Sequence, residues 1–382
     1  MWYFLSDEEK RIAETARQVA QQIKAAASKH HLAEPGANME SLRAMQKNKF
    51  FALHVTKELG GMGANFVTWC LVQEEICKVD LGVGNAISHE AAAANILLEM
   101  GTKEQIDHYL KKQVAGDLWG LLLTEPQGGS DVGGFQTKAV RRNGKYVING
   151  EKCWALNGDV AERHMVWAAT DPEKKNGGIS VFIVEKNTPG LTVGKPYVKS
   201  GWAGISCVDV SFKNVEVPEG NRVGGEGDGF GLFTTGLNQG RLGIAAQSLG
   251  LAEGAYEYAL DYASKRILFG GPITNKQAVR FMLADMAMAI EAGRALVYTT
   301  ARLVDAKTPD THKLAAMAKC HLSDMAVKVT SDALFLLGSA GYSADHPLER
   351  MMRDAHGLRI ADGTNNIMRH VIAGAVIPRS KK

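Results

Sequence analysis

Long apolar runs are missing from this chain. No stretch of its 382 residues approaches the ~20 apolar residues that a membrane-crossing helix needs. The start, Met1-Trp2-Tyr3-Phe4-Leu5, is apolar but short and leads into an acidic helix start, so neither a signal nor a transit peptide is expected. Cysteine is scarce. Cys70, Cys77, Cys153, Cys207 and Cys320 are scattered and form no CxxC, which excludes a disulfide framework and a zinc site and points to a reducing, cytoplasmic setting. An excess of one charge is missing too. With 44 basic and 41 acidic residues and no basic run, neither nucleic acid nor an anionic membrane is an expected partner. The two standard nucleotide loops are absent. No GxxxxGK[ST] occurs, and Gly225-Glu226-Gly227-Asp228-Gly229-Phe230-Gly231 lacks the GxGxxG spacing and reads as an interdomain hinge.

What the chain has is a change of period at two places. Residues 1 to about 120 read as helices. Ser6-Asp7-Glu8-Glu9 is a capping box, followed by Ile12, Ala16, Val19 and Ile23 at helical spacing. Leu42 to Asn48 and Phe66 to Val79 continue the pattern, and four alanines, 91–94, suit a helix with room beside it. From about 121 to 230 short β-branched segments alternate, with Asn143-Gly144 and Asn149-Gly150 as hairpin turns, which predicts an antiparallel sandwich or barrel. Helices then return, roughly Phe230 to Lys265, Asn275 to Asp305 and Pro309 to Leu337, in a domain covering 231–382. The fold class is α+β without βαβ alternation, so a doubly wound sheet is not expected.

Four polar stretches carry the chemistry. Asp362 precedes Gly363, and Thr364 reads as the N-cap of a last helix, Asn365 to about Ala375. A carboxylate on a glycine turn beside a helix start can be aimed into a cleft; it is also what an ordinary turn uses. Thr124-Glu125-Pro126-Gln127-Gly128-Gly129-Ser130 is a glycine-rich loop with free N–H groups and two hydroxyls. Trp154, on the next strand, offers a flat face for a conjugated ring, or a core side chain. Arg266 and Phe269 precede a Gly-Gly-Pro break and suit a phosphate with an adjoining ring.

In this order the stretches resemble the acyl-CoA dehydrogenase family, and the resemblance covers essentially the whole chain. The loop Thr124–Gly134 is similar to the first family signature. Gly338-Ser339-Ala340-Gly341-Tyr342-Ser343-Ala344-Asp345, with Arg350 and Asp354, is similar to the second. Arg266 and Phe269 fit RxxFG, and Asp362-Gly363-Thr364 falls where the family has Glu-Gly-Thr.

The resemblance implies a helical N-terminal domain (1–120), a β middle domain (121–230) and a C-terminal four-helix bundle. It implies FAD, an acyl-CoA substrate, an electron-transferring flavoprotein as acceptor, and a homotetramer. It assigns the cofactor to Thr124, Ser130, Trp154, Arg266, Phe269, Ser339, Thr364 and Asn366. It puts Ser130, Glu90, Ala91, Asn238, Arg241, Ala361 and Gly363 beside the substrate. The base is expected at Asp362, with Glu90 a second carboxylate at the pocket wall unless it is a paired or surface residue.

Several positions depart from the family. The usual base is Glu, here or at the position of Gly240, which has no side chain. Ala361 stands for a usual Tyr, Leu156 for Thr, Phe335 for Gln and Ala203 for Arg. The shorter base, Ala361 and the alanines together predict room for a bulky acyl group, branched or cyclic. Other readings of the same pattern are an ordinary short- or branched-chain dehydrogenase, a nitroalkane-oxidase-like flavoenzyme, and a non-catalytic flavin scaffold.

Overall fold

The computed structural model describes residues 5–30, 35–309 and 311–378; the apolar start at 1–4 lies outside them. Five helices come first: α1 (Asp7–His30), α2 (Met39–Lys47), α3 (Phe66–Cys77), α4 (Leu81–Met100) and α5 (Lys103–Ala115). Their starts are set by side chains that satisfy first-turn N–H groups. Ser6 and Glu9 exchange bonds as the capping box requires, and Asn38, Asn65, Asp80 and Thr102 cap the next four helices.

The middle of the chain forms one eight-stranded sheet from β1 (Trp119–Leu122), β2 (Lys138–Arg142), β3 (Lys145–Leu156), β4 (Arg163–Ala169), β5 (Ile179–Glu185), β6 (Leu191–Val193), β7 (Cys207–Pro218) and β8 (Arg222–Val223). The order is β6-β7-β3-β2-β4-β5-β8, with β1 against β4. The hairpins are antiparallel as expected, but β1 lies parallel to β4. A parallel neighbour needs a long crossover, and the segment between β1 and β4, which holds the polar loop and a whole hairpin, supplies it.

Asn143 and Gly144 both take positive φ and join β2 to β3 with two residues, the turn that Asn-Gly favours. Asn149-Gly150 is not a turn. It is a bulge inside β3, which continues to pair with β7 beyond it. The Asn149 side chain accepts the Asn214 N–H at 2.8 Å, and a Cβ on Gly150 would lie 2.5 Å from Thr137 Cα. The pair signals tight backbone approach as well as chain reversal.

Five more helices follow: α6 (Gly229–Lys265), α7 (Gln277–Asp305), α8 (Thr311–Leu337), α9 (Leu348–Leu358) and α10 (Asn365–Val376), with the small ladder β9 (Ile267–Leu268) and β10 (Gly271–Pro272) between α6 and α7. The glycine run before α6 is tied down rather than loose: Gly225 N–H donates to Asp228, Gly227 N–H to Ser180 Oγ, and Trp167 Nε1 to the Gly229 carbonyl. Among the described residues no helix is long and apolar enough to cross a membrane.

The first helices and the bundle share one core, in which Trp69 and Ile76 of α3 meet Leu249 of α6 and Leu322 of α8. The contact is close because α6 carries glycine where it meets α3. A Cβ on Gly243 would lie 2.6 Å from the Trp69 ring, one on Gly250 2.2 Å from the Glu74 carbonyl oxygen, and one on Gly254 2.4 Å from that of Lys78. The last two are backbone contacts that no rotamer change relieves. Gly250→Ala is therefore expected to lose about 1–3 kcal/mol through overpacking, measured by chemical denaturation, whereas Gly374→Ala, with open space around it, is expected to lose none.

Candidate active site

Asp362 and Gly363 both have positive φ, 52° and 87°. Asp tolerates this backbone better than most residues. The turn is closed from behind by Thr364, whose hydroxyl accepts the Ile367 N–H as the cap of α10. The two left-handed residues turn the half-buried Asp362 side chain toward α6. A Cβ at Gly240 would lie 2.6 Å from Asp362 Oδ2. The carboxylate thus fills space that any side chain at 240 would claim. Burial pushes the Asp362 carboxyl up, against the pull of Lys319 on α8 and Arg241 on α6.

The loop after β1 is held by a buried ion pair. Glu125 Oε1 lies 2.7 Å from Lys152 Nζ, and both side chains are essentially inaccessible. Lys152 also donates to the Leu123 carbonyl, and Glu125 accepts the Gln136 and Thr137 N–H groups. Burial lowers Lys152 to about 8, with Glu125 opposing. Thr124 and Ser130 flank this pinned residue and remain partly or fully open. Trp154 stands beside them, 58% exposed, with φ 55° and its ring 4.7 Å from Tyr197. Together with Pro126, Cys153 and Asp209 these rings line a cleft of about 490 Å³.

Residues 197–205 run from this cleft to the bundle. Tyr197 meets Trp154 at one end. At the other, Trp202 donates its backbone N–H to Asp354 Oδ1 at 2.5 Å and its indole N–H to the Asp354 carbonyl at 2.9 Å. Arg353 donates to the Ser200 carbonyl. Gly204 is packed on Asp80 of the first helical block, and its carbonyl accepts the Asn38 N–H. Asp354 is buried, which raises it to about 6 against the pull of Arg350. The strap fixes α9, and so the start of the Asp362 turn, relative to the sheet.

The sequence matches the acyl-CoA dehydrogenase N-terminal domain over residues 6–117, the middle domain over 120–215 and the C-terminal domain over 227–377. The chain belongs to the acyl-CoA dehydrogenase family. It is 44% identical over 334 residues to an acyl-CoA dehydrogenase of Bacillus subtilis (strain 168), covering 87% of this chain and 88% of that protein. It is 40% identical over 321 residues to a cyclohex-1-ene-1-carbonyl-CoA dehydrogenase of Geobacter metallireducens, covering 83% and 84%. Butyryl-CoA dehydrogenase from Megasphaera elsdenii superposes with a TM-score of 0.94 at 34% identity, over 98% of this chain and 99% of that one.

This acyl-CoA dehydrogenase is an oxidoreductase acting on CH–CH bonds, with FAD as its cofactor. The cleft fits that group: Trp154 keeps a large aromatic face open beside a polar loop whose anchor, Glu125, is already satisfied. The other expected cofactor residues are spread over the bundle. Phe269 is 90% exposed, at a positive φ in the β9–β10 hairpin, and Arg266, Ser339 and Asn366 are exposed. They do not line the Trp154 cleft. Phe335, where the family has Gln, is exposed too.

Glu90 is placed elsewhere than beside Asp362. It is fully buried between α4 and β1, with Oε1 accepting the Trp119 N–H at 2.9 Å. Burial pushes it well up, and the charges acting on it include Arg163, Glu162 and Asp117. Those acting on Asp362 are Lys319 and Arg241, so the two carboxylates do not form a pair around one ring. Ala91 is in the helix core with Ala93 and Ala94 in the neighbouring one, and of the four alanines Ala92 alone is partly open. The alternating 3.6-residue face of α4 explains this. Arg241 is buried one residue from Gly240, and Ala361 and Gly363 flank Asp362; the Asn238 side chain lies outside what is described.

Two residues at the turn were not singled out from sequence: Lys319 and Asn365, whose side chains meet beneath it at 2.9 Å. A lysine in an alanine-rich helix reads as solvated, so the sequence carried no signal for it. Gly240→Ala is expected to turn the Asp362 carboxylate aside and slow flavin reduction by acyl-CoA about 100-fold, the cost of an ångström-scale displacement. FAD content, read from the absorbance ratio of purified protein, should not change.

Proposed function

We propose that this acyl-CoA dehydrogenase oxidises a bulky, alicyclic acyl-CoA with Asp362 as the base. The observation that carries the reading is the complementarity of Gly240 and Asp362: a short carboxylate occupies the place of the missing side chain. The side chains that would narrow the same region are small, with Ala361 preceding the base and Ala92 on α4. The similarity to a cyclohex-1-ene-1-carbonyl-CoA dehydrogenase adds support for a ring.

In the proposed reaction the thioester carbonyl acidifies the α-carbon. Asp362 takes the α-proton on a carboxylate oxygen, and its charge is neutralised as the substrate loses the C–H bond. The β-hydrogen would leave as hydride, the two-electron acceptor chemistry that FAD would supply when bound, and one C=C would form. Burial makes the protonated form of Asp362 less unfavourable, while Lys319 and Arg241 favour the carboxylate. Trp154 and the Thr124 loop would hold the ring. An electron-transferring flavoprotein is the proposed acceptor. Exposed Phe269, Phe281, Met288, Phe335 and Tyr342 on the bundle suit burial between subunits of a homotetramer, which light scattering would measure.

Flavin reduction should be followed anaerobically with butyryl-, octanoyl-, isobutyryl-, cyclohexanecarboxyl- and cyclohex-1-ene-1-carbonyl-CoA. Faster bleaching by the ring compounds is expected; preference for a straight chain would mean an ordinary short-chain enzyme. Asp362→Asn should abolish reduction at every pH. In the unaltered enzyme, reduction should weaken as pH falls through the raised pKa of Asp362, since only the ionised form accepts a proton. That acid limb should lie above the ordinary aspartate value of about 3.9.

A further inference from the structure

Two successive left-handed residues do not hold themselves. What lies under the Asp362 turn is α8. Lys319, fully buried, donates from Nζ to the Gly363 carbonyl at 2.7 Å and to Asn365 Oδ1 at 2.9 Å. The Asn365 amide donates onward to Ser323 Oγ and Asp324 Oδ1, each at 3.0 Å, and to the Cys320 carbonyl at 3.4 Å. Asp324 then pairs with Arg359 at 2.8 Å and Arg369 at 2.9 Å, on either side of the turn. The turn is therefore gripped at its centre by Lys319 and at its flanks by Asp324.

A neutral donor would satisfy the Gly363 carbonyl as well. A buried ammonium is costly to desolvate, and the fold keeps one at the residue next to Asp362. The titratable and charged groups facing Lys319 are Asp362, Cys320, Arg241 and Asp324, Cys320 being a neutral thiol near neutrality. Those facing Asp362 are Lys319 from α8 and Arg241 from α6. Burial lowers Lys319 to about 8, with Asp362 the first of the groups that restore it, so the ammonium is the prevailing form near neutrality.

We propose that Lys319 is the positioning residue of the reaction, aiming the Asp362 carboxylate through the Gly363 carbonyl and holding it ionised by its own charge. The proposal rests on Asp362 being the base. Its test does not depend on turnover alone. In holoenzyme, the infrared C=O stretch of protonated Asp362 is identified as the band missing from Asp362→Asn, and its midpoint is followed against pH. Removing a neighbouring positive charge disfavours the carboxylate, so the midpoint should rise in Lys319→Met by about one pH unit or more. The acid limb of flavin reduction by butyryl-CoA or cyclohex-1-ene-1-carbonyl-CoA should rise with it, and kcat should fall more than KM changes. Lys319→Arg should restore both in part.

An unmoved midpoint and limb, with only lower thermal stability, would make Lys319 a fold residue and overturn the proposal. Should Lys319→Met not accumulate with flavin bound, Lys319→Gln, which keeps a donor but no charge, reads the same shift. Full reduction in Asp362→Asn would instead remove the base assignment, while the band midpoint would still report whether Lys319 acts on that carboxylate.

Discussion

The close approach of α6 to α3 is the constraint on which the rest is built. Three glycines on one helix admit the Trp69 ring and the backbone at Glu74 and Lys78, and the first helical block thereby joins the core of the bundle. Gly240, on the same helix, extends this economy of volume to the Asp362 turn. There the space is taken by a carboxylate arriving from a turn far along the chain. Position 240 and position 362 are consequently one structural decision: a side chain at the first leaves no place for the carboxylate at the second. Such exclusion is enforced by contact distances, and so is steeper than an electrostatic preference.

At three places a buried charged side chain fixes an irregular segment. Glu125 and Lys152 pin the loop after β1. Asp354 and Trp202 tie the strap to α9. Lys319 and Asn365 support the turn before α10. Regular structure satisfies its own N–H and C=O groups, whereas these loops cannot, and an ion or amide with several donors closes many such groups at once. The cost of desolvation is met where a loop must stand in one conformation.

The element order, the long helices and most strands were legible in the sequence because their periodicity is local, and so was Thr364, which caps the helix it precedes. Asn149-Gly150 misled because the same dipeptide serves a turn and a bulge, and the choice depends on how far β3 pairs with β7. The surroundings of Glu90 and Ala91 were not legible for another reason. Both lie on an alanine-rich helix whose buried face cannot be told from its open face when every neighbour is small. Lys319 was silent, since a lysine in a helix reads as solvated until α10 is laid over it. The parts not legible are those in which residues distant in sequence meet.

The distribution of thiols has a practical consequence. Cys70, Cys77, Cys207 and Cys320 are buried, and burial pushes all of them toward the unreactive protonated form, Cys207 to about 12. Burial raises the Cys153 thiol as well, but Cys153 alone is partly open, and it adjoins Trp154 on the wall of the cleft. A fluorophore or spin label would thus attach at one known point without any engineered cysteine. The unmodified chain carries its own address for a spectroscopic ruler beside the Trp154 cleft.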